Sequence, residues 1–303
     1  MAQLRASLSV PAETLADQLL QFWTRHGDDP RGKVRTHGIV LHRRLPGRVD
    51  PARLAALAPG SSPRHAAHGK VVVMKQDDPP LVSCYQVSED RADASRVACY
   101  NGVLAAAGLL ADAGRLEATL RVQLPAGVEV EVSARLMRST TGSASVTQRW
   151  MAVPLTVERI SSRDGLRLAW SAGAMNDYVL VACPSAERLR AFSPEDAQRI
   201  WHDQPWRERR PLRGRILATW CDEDGTVWLR AFTCSKRRHP SAPPTGLAVL
   251  AVAAARLDWL PPGTRHVRTL DGDLALPDLR QGPRGYQFDF SQSTVSLEPI
   301  DEY

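Results

Sequence analysis

Two segments of the 303-residue chain are apolar on every side of a helix, and they constrain its fold more than any other feature. The first, YNGVLAAAGLLADAGRL, begins at Tyr100, and the second, PTGLAVLAVAAARLDWL, begins at Pro244. A helix without a polar face has to be buried on all sides. The segments around them predict short strands, for example the β-branched run GKVVVMK at 69–75. We therefore expect sheets that wrap around buried helices.

The two segments also resemble each other, because both place a glycine at the start of the helix. Gly102 and Gly246 lie 144 residues apart, which we interpret as a weak internal repeat. The predicted fold class is α+β, with two similar domains, each a barrel-like sheet around a central apolar helix, and an active site in the cleft between them. The predicted boundaries are an N-terminal helical extension at 1–30, containing an amphipathic helix at 12–26, an N-terminal domain at 31–150, a C-terminal domain at 151–290 and a tail at 291–303.

Composition narrows the classes of partner. The formal net charge is +6, but aromatic residues make up only 6% of the chain, which does not favour a nucleic-acid surface. No apolar run reaches the length of a membrane span, and the first residues do not form the apolar stretch of a signal peptide. We expect a cytoplasmic protein with a small anionic substrate, no nucleic acid and no membrane partner. A homodimer stays open.

The cysteines indicate thiol chemistry more than cross-linking. Five are scattered along the chain without a C-x-x-C pair, which is typical of reduced thiols and not of a disulfide framework or a zinc site. Cys99 directly precedes the first apolar helix, where unpaired backbone N–H groups favour a thiolate. The alternative is that Cys99 is a small buried packing residue. Likewise, Lys70 at the head of a strand is either functional or an exposed edge charge.

Five stretches, in this order, resemble motifs of the PrpF-like isomerases. They are RTHGIVLHRRLP at 35–46, GKVVVMK at 69–75, ACYNGVLAAAGLLADAGRL at 98–116, HPSAPPTGLAVLAVAAARLDWLPPGT at 239–264 and LRQGPRG at 279–285. They are similar to the family's Arg-Gly-Gly-Thr-Ser-Lys-Gly loop, its Ser-Lys-Val strand, its Cys-Gly-Asn motif, its His-(five residues)-Thr-Gly motif and its Ile-Gly-His-Pro-Ser-Gly element. The family includes 2-methylaconitate isomerase, aconitate isomerase and the oxalomesaconate tautomerases, and its fold is that of diaminopimelate epimerase.

The resemblance implies a cofactor-independent isomerase that shifts a proton and a double bond in an unsaturated carboxylate or oxo-acid. Cys99 and Lys70 would be the catalytic acid–base pair. The implied substrate-binding residues are Asn101, Gly102, Arg35, Thr36, His37, Gly38, His239, Thr245, Gly246 and Arg284. No cofactor and no metal are expected.

The chain departs from the family pattern at several positions. Tyr100 replaces the glycine between Cys99 and Asn101, and the carboxylate-binding loops are reduced. Pro243 stands where epimerases of this fold carry a second cysteine, which disfavours a two-thiol racemase. A racemase, an epimerase or a cyclase on the same fold stays open, as does a non-catalytic binding protein that retains the fold.

Overall fold

The computed structural model describes residues 19–26, 36–43, 70–75, 77–87, 94–112, 116–125, 127–138, 144–173, 176–203, 215–233, 238–239, 243–269 and 272–299. The chain forms two compact units. Unit 1 comprises the described parts of Met1–Met151 and Asp289–Tyr303, and unit 2 comprises those of Ala152–Phe288.

The strands, in chain order, are β1 (Leu19–His26), β2 (Thr36–Arg43), β3 (Lys70–Lys75), β4 (Leu81–Val87), β5 (Ala94–Arg96), β6 (Glu117–Gln123), β7 (Glu129–Arg138), β8 (Ala144–Val153), β9 (Leu155–Arg163), β10 (Leu166–Gly173), β11 (Tyr178–Ala182), β12 (Arg215–Cys221), β13 (Val227–Thr233), β14 (Arg238–His239), β15 (His266–Thr269), β16 (Gly272–Ala275), β17 (Asp278–Gly282) and β18 (Gly285–Pro299). The helices are α1 (Tyr100–Asp112), α2 (Ala186–Ala191), α3 (Pro194–His202) and α4 (Pro244–Leu257).

The sheet of unit 1 closes on itself. Its strand order is β1-β2-β3-β4-β6-β7-β8-β18-β17, with β5 paired to β4. Strand β1 also pairs with β18, so the eight strands from β1 to β18 of this order form a closed ring. The pairs β2–β3 and β4–β6 are parallel, whereas β3–β4, β6–β7 and β7–β8 are antiparallel. Closure removes the exposed edges that an open sheet would leave unpaired.

Helix α1 lies against six strands of this sheet, β1, β2, β3, β4, β6 and β7. Its residues from Val103 to Ala107 are completely buried, as an apolar surface on all sides requires. Burying such a helix is favourable by about 25 cal/mol for each Å² of apolar surface removed from water. The expectation that the first apolar segment forms an enclosed helix is therefore confirmed.

Unit 2 has a second sheet in the order β16-β15-β13-β12-β11-β10-β9, with β14 paired to β13. Helix α4 contacts β9, β11 and β17. The short helices α2 and α3 cover a further core of the sheet, in which Phe192 and Trp201 pack against Val179, Val181 and Phe232. All four residues of β11 from Tyr178 to Val181 are fully buried, so this strand has no solvent-facing side.

The α+β fold class is confirmed, but two local expectations are wrong. Residues 19–26 form strand β1, not the end of a helix, because they pair with β2 on one side and β18 on the other; residues 12–18 lie outside the described residues. The predicted tail from 291 is strand β18 as far as Pro299. None of the described helices is long and apolar enough to cross a membrane.

Candidate functional site

Cys99 is the residue immediately before α1, and its thiol is buried, with 3% of the residue exposed. The backbone N–H of Gly102 donates a hydrogen bond to Cys99 Sγ at 3.3 Å. The N–H of Val103 donates to the Cys99 carbonyl at 3.1 Å, which is the first hydrogen bond of the helix. Cys99 is thus the N-cap residue of α1, and its sulfur accepts a hydrogen bond from a backbone N–H of the first turn.

The start of α1 lies directly on strands β3 and β4. Val72 and Cys84 are paired in register across these strands, and each is at most 1% exposed. A Cβ atom added to Gly102 would lie 2.5 Å from Cys84 Sγ and 2.9 Å from Val72 Cγ2. Only a glycine lets the helix approach these strands so closely. Gly102, predicted as a substrate contact, therefore has a packing requirement as well.

Backbone register brings two further predicted residues to this region. Lys70 begins β3, two residues before Val72, and it pairs with Gly38 of β2 in the parallel register. Positions two apart in a strand share a face, so position 70 belongs to the face of position 72. The side chains of Lys70, Thr36 and His37 lie outside what the structure describes. The proposed acid–base contact of Lys70 with the thiol therefore stays a prediction.

Tyr100, the first residue of α1, is buried beside the last strand of unit 1. Its hydroxyl forms a hydrogen bond with Ser293 Oγ at 3.1 Å and donates to the Ser291 carbonyl at 3.4 Å. Its ring packs on Phe290 with centroids 4.8 Å apart. Burial raises the pKa of Tyr100 to about 12, and the hydrogen bond from Ser293 opposes this only in part. The phenol is therefore neutral near pH 7.

A buried polar pair of β8 also holds the start of α1. Gln148 donates through Nε2 to the Tyr100 carbonyl at 3.4 Å, and its Oε1 accepts from Trp150 Nε1 at 2.8 Å. Gln148 is 2% exposed and Trp150 is fully buried. Asn101 is also buried, at 8% exposure. The first turn of α1 is thus fixed by side chains from β4, β8 and β18.

The start of α4 repeats this register in unit 2. Pro243 is the N-cap of α4, and Gly246 follows it by three residues, as Gly102 follows Cys99. A Cβ atom on Gly246 would lie 2.9 Å from Tyr178 Cε1 and 3.1 Å from Leu217 Cδ1. Gly102 and Gly246 thus occupy equivalent positions in the internal repeat, and both are required for the same reason, because each lets its helix lie close to a sheet.

The chemistry of the two helix starts differs. Pro243 has no thiol, and its side chain makes no capping hydrogen bond. Thr245 is buried, and its hydroxyl is 2.7 Å from that of Tyr178. Because Pro243 and Pro244 lack N–H groups, and the N–H of Gly246 donates to the Pro243 carbonyl at 2.8 Å, this start offers fewer amide donors to an anion.

The remaining predicted residues do not join either helix start in the described structure. Arg35 lies outside the described residues. His239 pairs through its backbone with Ala231, but its side chain lies outside the described part. Arg284 is exposed in the turn between β17 and β18. The structure thus places Cys99, Asn101 and Gly102 at the start of α1 and Thr245 and Gly246 at the start of α4, and it pairs Gly38 with Lys70 through the backbone.

Sequence reasoning missed three buried residues of these regions. The sequence pattern does not single out Cys84, although its sulfur is the nearest atom to the position of a Cβ on Gly102. Asn176 and Asp177 are buried at 8% and 4% exposure immediately before β11, whose Tyr178 contacts Gly246. A polar pair before a fully apolar strand was the available signal for these last two.

Unit 2 also contains a small cavity of about 190 Å³ near the ends of β11 and β12. The Arg167 guanidinium stands over the Trp259 ring at 5.5 Å, and Cys183 lines the same cavity. Burial raises the pKa of the Cys183 thiol to about 11, against the opposing charges of Arg188 and Arg230. Such a thiol is protonated near neutral pH. The residues that line this cavity include none of the predicted site residues.

Comparison with known proteins identifies the fold. No protein-family model matches the chain, and no curated protein matches its sequence. A hydroxyproline epimerase from Agrobacterium vitis, solved with bound trans-4-hydroxy-L-proline, is 15% identical, with 94% of this chain and 91% of that chain covered and a TM-score of 0.52. A PhzF-family phenazine biosynthesis protein from Bacillus anthracis is 9% identical, with 94% and 98% covered and the same TM-score of 0.52.

These likenesses span nearly the whole of each chain. The protein therefore has the two-domain fold that proline and hydroxyproline epimerases share with the PhzF family, which is the diaminopimelate-epimerase-like fold. At such low identity the likeness concerns the fold alone, so the activity has to be argued from the residues at the helix starts.

Proposed function

We propose that this protein is a cofactor-independent isomerase in which the Cys99 thiol transfers a proton. The observation that carries the proposal is the hydrogen bond from the Gly102 N–H to Cys99 Sγ at the start of a buried helix. The proposed substrate is an unsaturated carboxylate or oxo-acid, and the proposed relationship is a divergent member of the PrpF-like isomerases. The fold supports the reaction class, because its solved examples include an epimerase.

The reaction requires a base, an oxyanion site and a dry pocket. The thiolate takes a proton from the carbon next to the conjugated system, and the electrons of that C–H bond form a new double bond. The displaced π electrons move to the carbonyl oxygen, so a dienolate forms, and a proton then returns to the far end of the system. Atoms and electrons balance without a cofactor. Each proton transfer needs a group whose affinity for the proton suits neutral pH.

The electrostatics at Cys99 act in two directions. Burial disfavours a charged sulfur, whereas the helix N-terminus and the Gly102 N–H favour it. A hydrogen bond to a charged group contributes about 1.5–3 kcal/mol, and a helix N-terminus about 0.3–1 kcal/mol. The first turn of α1 contains no acidic residue that would oppose a thiolate. The hydrogen bond and the helix N-terminus thus support Cys99 as the proton-transferring thiol, against the cost of its burial.

We assign the other roles by position. Lys70 begins the strand whose Val72 contacts the first turn of α1, so it is the proposed second proton carrier or enolate partner. Asn101 is the proposed amide that orients a carboxylate, and the start of α4 at Thr245 is the proposed second anion site. Gly38, which lies in β2 and pairs with Lys70 of β3 in register, is proposed to belong to the same substrate-binding region.

Pro243 favours the isomerase over a two-thiol racemase. Racemisation by two thiols needs a sulfur at the start of each helix, and the N-cap of α4 is a proline. A one-thiol isomerase or tautomerase therefore has the better support. An epimerase is the second candidate, supported by the hydroxyproline epimerase among the solved structures. A non-catalytic binding protein is the third, because the residue after Cys99, a glycine in the family pattern, is here the large buried Tyr100.

The test is proton exchange in deuterated water with a panel of unsaturated carboxylates and 2-oxo acids, followed by NMR. We expect deuterium incorporation together with migration of a double bond, and a loss of at least about 100-fold in the Cys99→Ala variant. Cys183→Ala, which removes a buried thiol of unit 2, is the control and should retain activity. Exchange at a stereocentre without bond migration would assign an epimerase. Full activity in Cys99→Ala would refute the proposal.

A further inference from the structure

We propose that Cys84 is a positioning residue that holds the Cys99 thiol in its hydrogen-bonded geometry. This inference rests on the proposed function, because it matters only if Cys99 is the proton-transferring thiol. Its basis is that Cys84 Sγ contacts the turn 99–102 at two points, the carbonyl of Cys99 and the backbone of Gly102, and that this turn carries the Cys99 thiol. Cys84 does not contact the reacting atoms in this proposal and acts only through the backbone of 99–102.

The first contact is with the carbonyl of Cys99. Cys84 Sγ donates to this oxygen at 3.8 Å, which lies within the range for a sulfur donor. The same oxygen accepts the N–H of Val103 at 3.1 Å. The peptide that follows Cys99 is therefore held by a helix hydrogen bond and by a side chain of β4. A fixed carbonyl limits the rotation of the residue that carries the thiol.

The second contact is with the glycine that donates to the thiol. Cys84 Sγ is the nearest atom to the position that a Cβ of Gly102 would occupy, at 2.5 Å. The height of Gly102 above β4 is therefore set by the size of the Cys84 side chain. Gly102 supplies the N–H that donates to Cys99 Sγ at 3.3 Å. A smaller side chain at position 84 would leave the donor without a support on its sheet side.

Cys84 is itself held in place. Its carbonyl accepts the N–H of Val97 at 2.9 Å, just before the turn, and its residue pairs with Val72 in the β3–β4 register. At 1% exposure, its side chain has no room for an alternative position. The support is thus rigid, and it reaches residues 97, 99 and 102 from one position on β4. Rigid support of a reacting group is what places it within catalytic tolerance.

The test measures the ionisation of Cys99 without a substrate. The full chain is alkylated with iodoacetamide between pH 6 and pH 10, and the rate at Cys99 is followed by mass spectrometry of the tryptic peptide 97–115, which is separate from the peptide 76–91 that carries Cys84. In Cys84→Ala we expect the midpoint of the pH profile to rise by about one pH unit, because the thiolate loses its aligned donor. Cys84→Ser, which keeps a donor of similar size, should shift it less, and Cys183→Ala should not shift it.

A matched pair of variants tests the contact with Gly102. In Gly102→Ala the new methyl group clashes with Cys84 Sγ, and we expect a lower melting temperature and a raised midpoint. In the double variant Gly102→Ala with Cys84→Ala the sulfur is gone, so the added loss of melting temperature from the glycine substitution should be smaller. Equal losses in both backgrounds would contradict the proposed fit.

The outcomes separate the two proposals. If Cys84→Ala lowers the melting temperature but leaves the midpoint unchanged, Cys84 only fills space and the positioning role is overturned. If Cys99 of the unsubstituted protein titrates as an ordinary thiol and Cys99→Ala is active, the proposed function fails and the positioning role fails with it. The proposal is supported if the midpoint of the pH profile rises in Cys84→Ala and stays close to that of the unsubstituted protein in Cys84→Ser.

Discussion

At the scale of single residues, the burial of Tyr100 affects how the stability of the whole protein depends on pH. Its hydroxyl partner, Ser293, is 193 residues further along the chain, so no local pattern could have revealed the contact. The sequence likewise does not show whether Cys99 is exposed or buried, because that depends on residues far away along the chain. Gly102, in contrast, could be singled out, because a glycine that opens an apolar helix indicates close packing.

Tyr100 predicts a loss of stability in alkali. The pKa of a tyrosine in the unfolded chain is near 10, and burial raises it to about 12 in the folded protein. The unfolded state releases the proton of Tyr100 at a lower pH than the folded state. The contribution of Tyr100 to the free energy of unfolding is therefore complete below about pH 10 and is lost as the pH rises towards about 12. The loss amounts to about 2–3 kcal/mol.

The measurement is urea unfolding at pH 7, 10 and 11.5. Tyr100→Phe should cost about 1 kcal/mol at pH 7, where the hydrogen bond to Ser293 is lost. Its stability should then fall less steeply above pH 10 than that of the unsubstituted protein. Other titrating groups are the same in both proteins, so the difference isolates Tyr100. Parallel curves would contradict the assignment.

At the scale of elements, the two apolar helices α1 and α4 were predictable and the first strand was not. The segments of α1 and α4 are apolar all round, and only an enclosed helix satisfies that pattern. Leu19 and Trp23 fit a helical spacing, yet residues 19–26 form β1, whose partners are β2 and the far end of the chain. Strand pairing over such distances overrides a local periodicity. The close packing of each helix start on its sheet likewise depends on register, which the sequence does not state.

Gly246→Ala should destabilise unit 2. The new methyl group would meet the ring of Tyr178, whose hydroxyl is bonded to Thr245, and the side chain of Leu217. Overpacking costs about 1–3 kcal/mol, and the better helix propensity of alanine offsets about 1 kcal/mol of this. We expect a net loss of about 1–2 kcal/mol in chemical denaturation. Ala255→Ser, at an exposed position of the same helix, should stay within about 0.5 kcal/mol. A Gly246→Ala variant more stable than the unsubstituted protein would show that Tyr178 and Leu217 move to make room for the methyl group, and would contradict this prediction.

The capping box of α3 gives a second prediction for this scale. Ser193 Oγ accepts from the Asp196 N–H at 3.1 Å, and Asp196 Oδ2 accepts from the Ser193 N–H at 3.1 Å. Ser193→Ala should cost about 1 kcal/mol, because a donor of the first turn loses its acceptor. Ser185→Ala removes the corresponding bond of the shorter α2, from the Arg188 N–H, and should cost a similar amount. A Ser193→Ala variant as stable as the unsubstituted protein in urea unfolding would contradict the cap.

At the scale of the whole molecule, two strands carry the chain between the units. The boundary between unit 1 and unit 2 falls within β8, after Met151, and again within β18, before Asp289. The two-domain organisation could be predicted from the repeated helices. The return of the chain to unit 1 through β18 could not, because the segment has no internal signal for its partner β1, more than 250 residues away.

Gly285, at the beginning of β18, should be the most sensitive glycine of this connection. Its φ is +141°, and a Cβ atom there would meet the carbonyl of Val153 at the end of β8. Gly285→Ala combines backbone strain with a clash against another backbone, and should cost on the order of 3 kcal/mol or more. Gly225→Ala is the matched control, because its φ is +79° with nothing within 4 Å of the added atom. It should cost only about 1 kcal/mol, and equal losses in thermal unfolding would contradict the clash.

The path of β18 also separates the beginning and the end of unit 1 in the order of synthesis. Residues 289–299 complete the sheet of unit 1, yet they follow all of unit 2 along the chain. While unit 2 is being synthesised, the seam between β1 and β18 cannot close, because residues 293–299 have not yet been added. Every residue of unit 2 is present once Phe288 has been added, whereas unit 1 still lacks its closing strand. The unit that carries Cys99 is begun first and finished last, and until its final strand arrives the phenol of Tyr100 has no serine to bind.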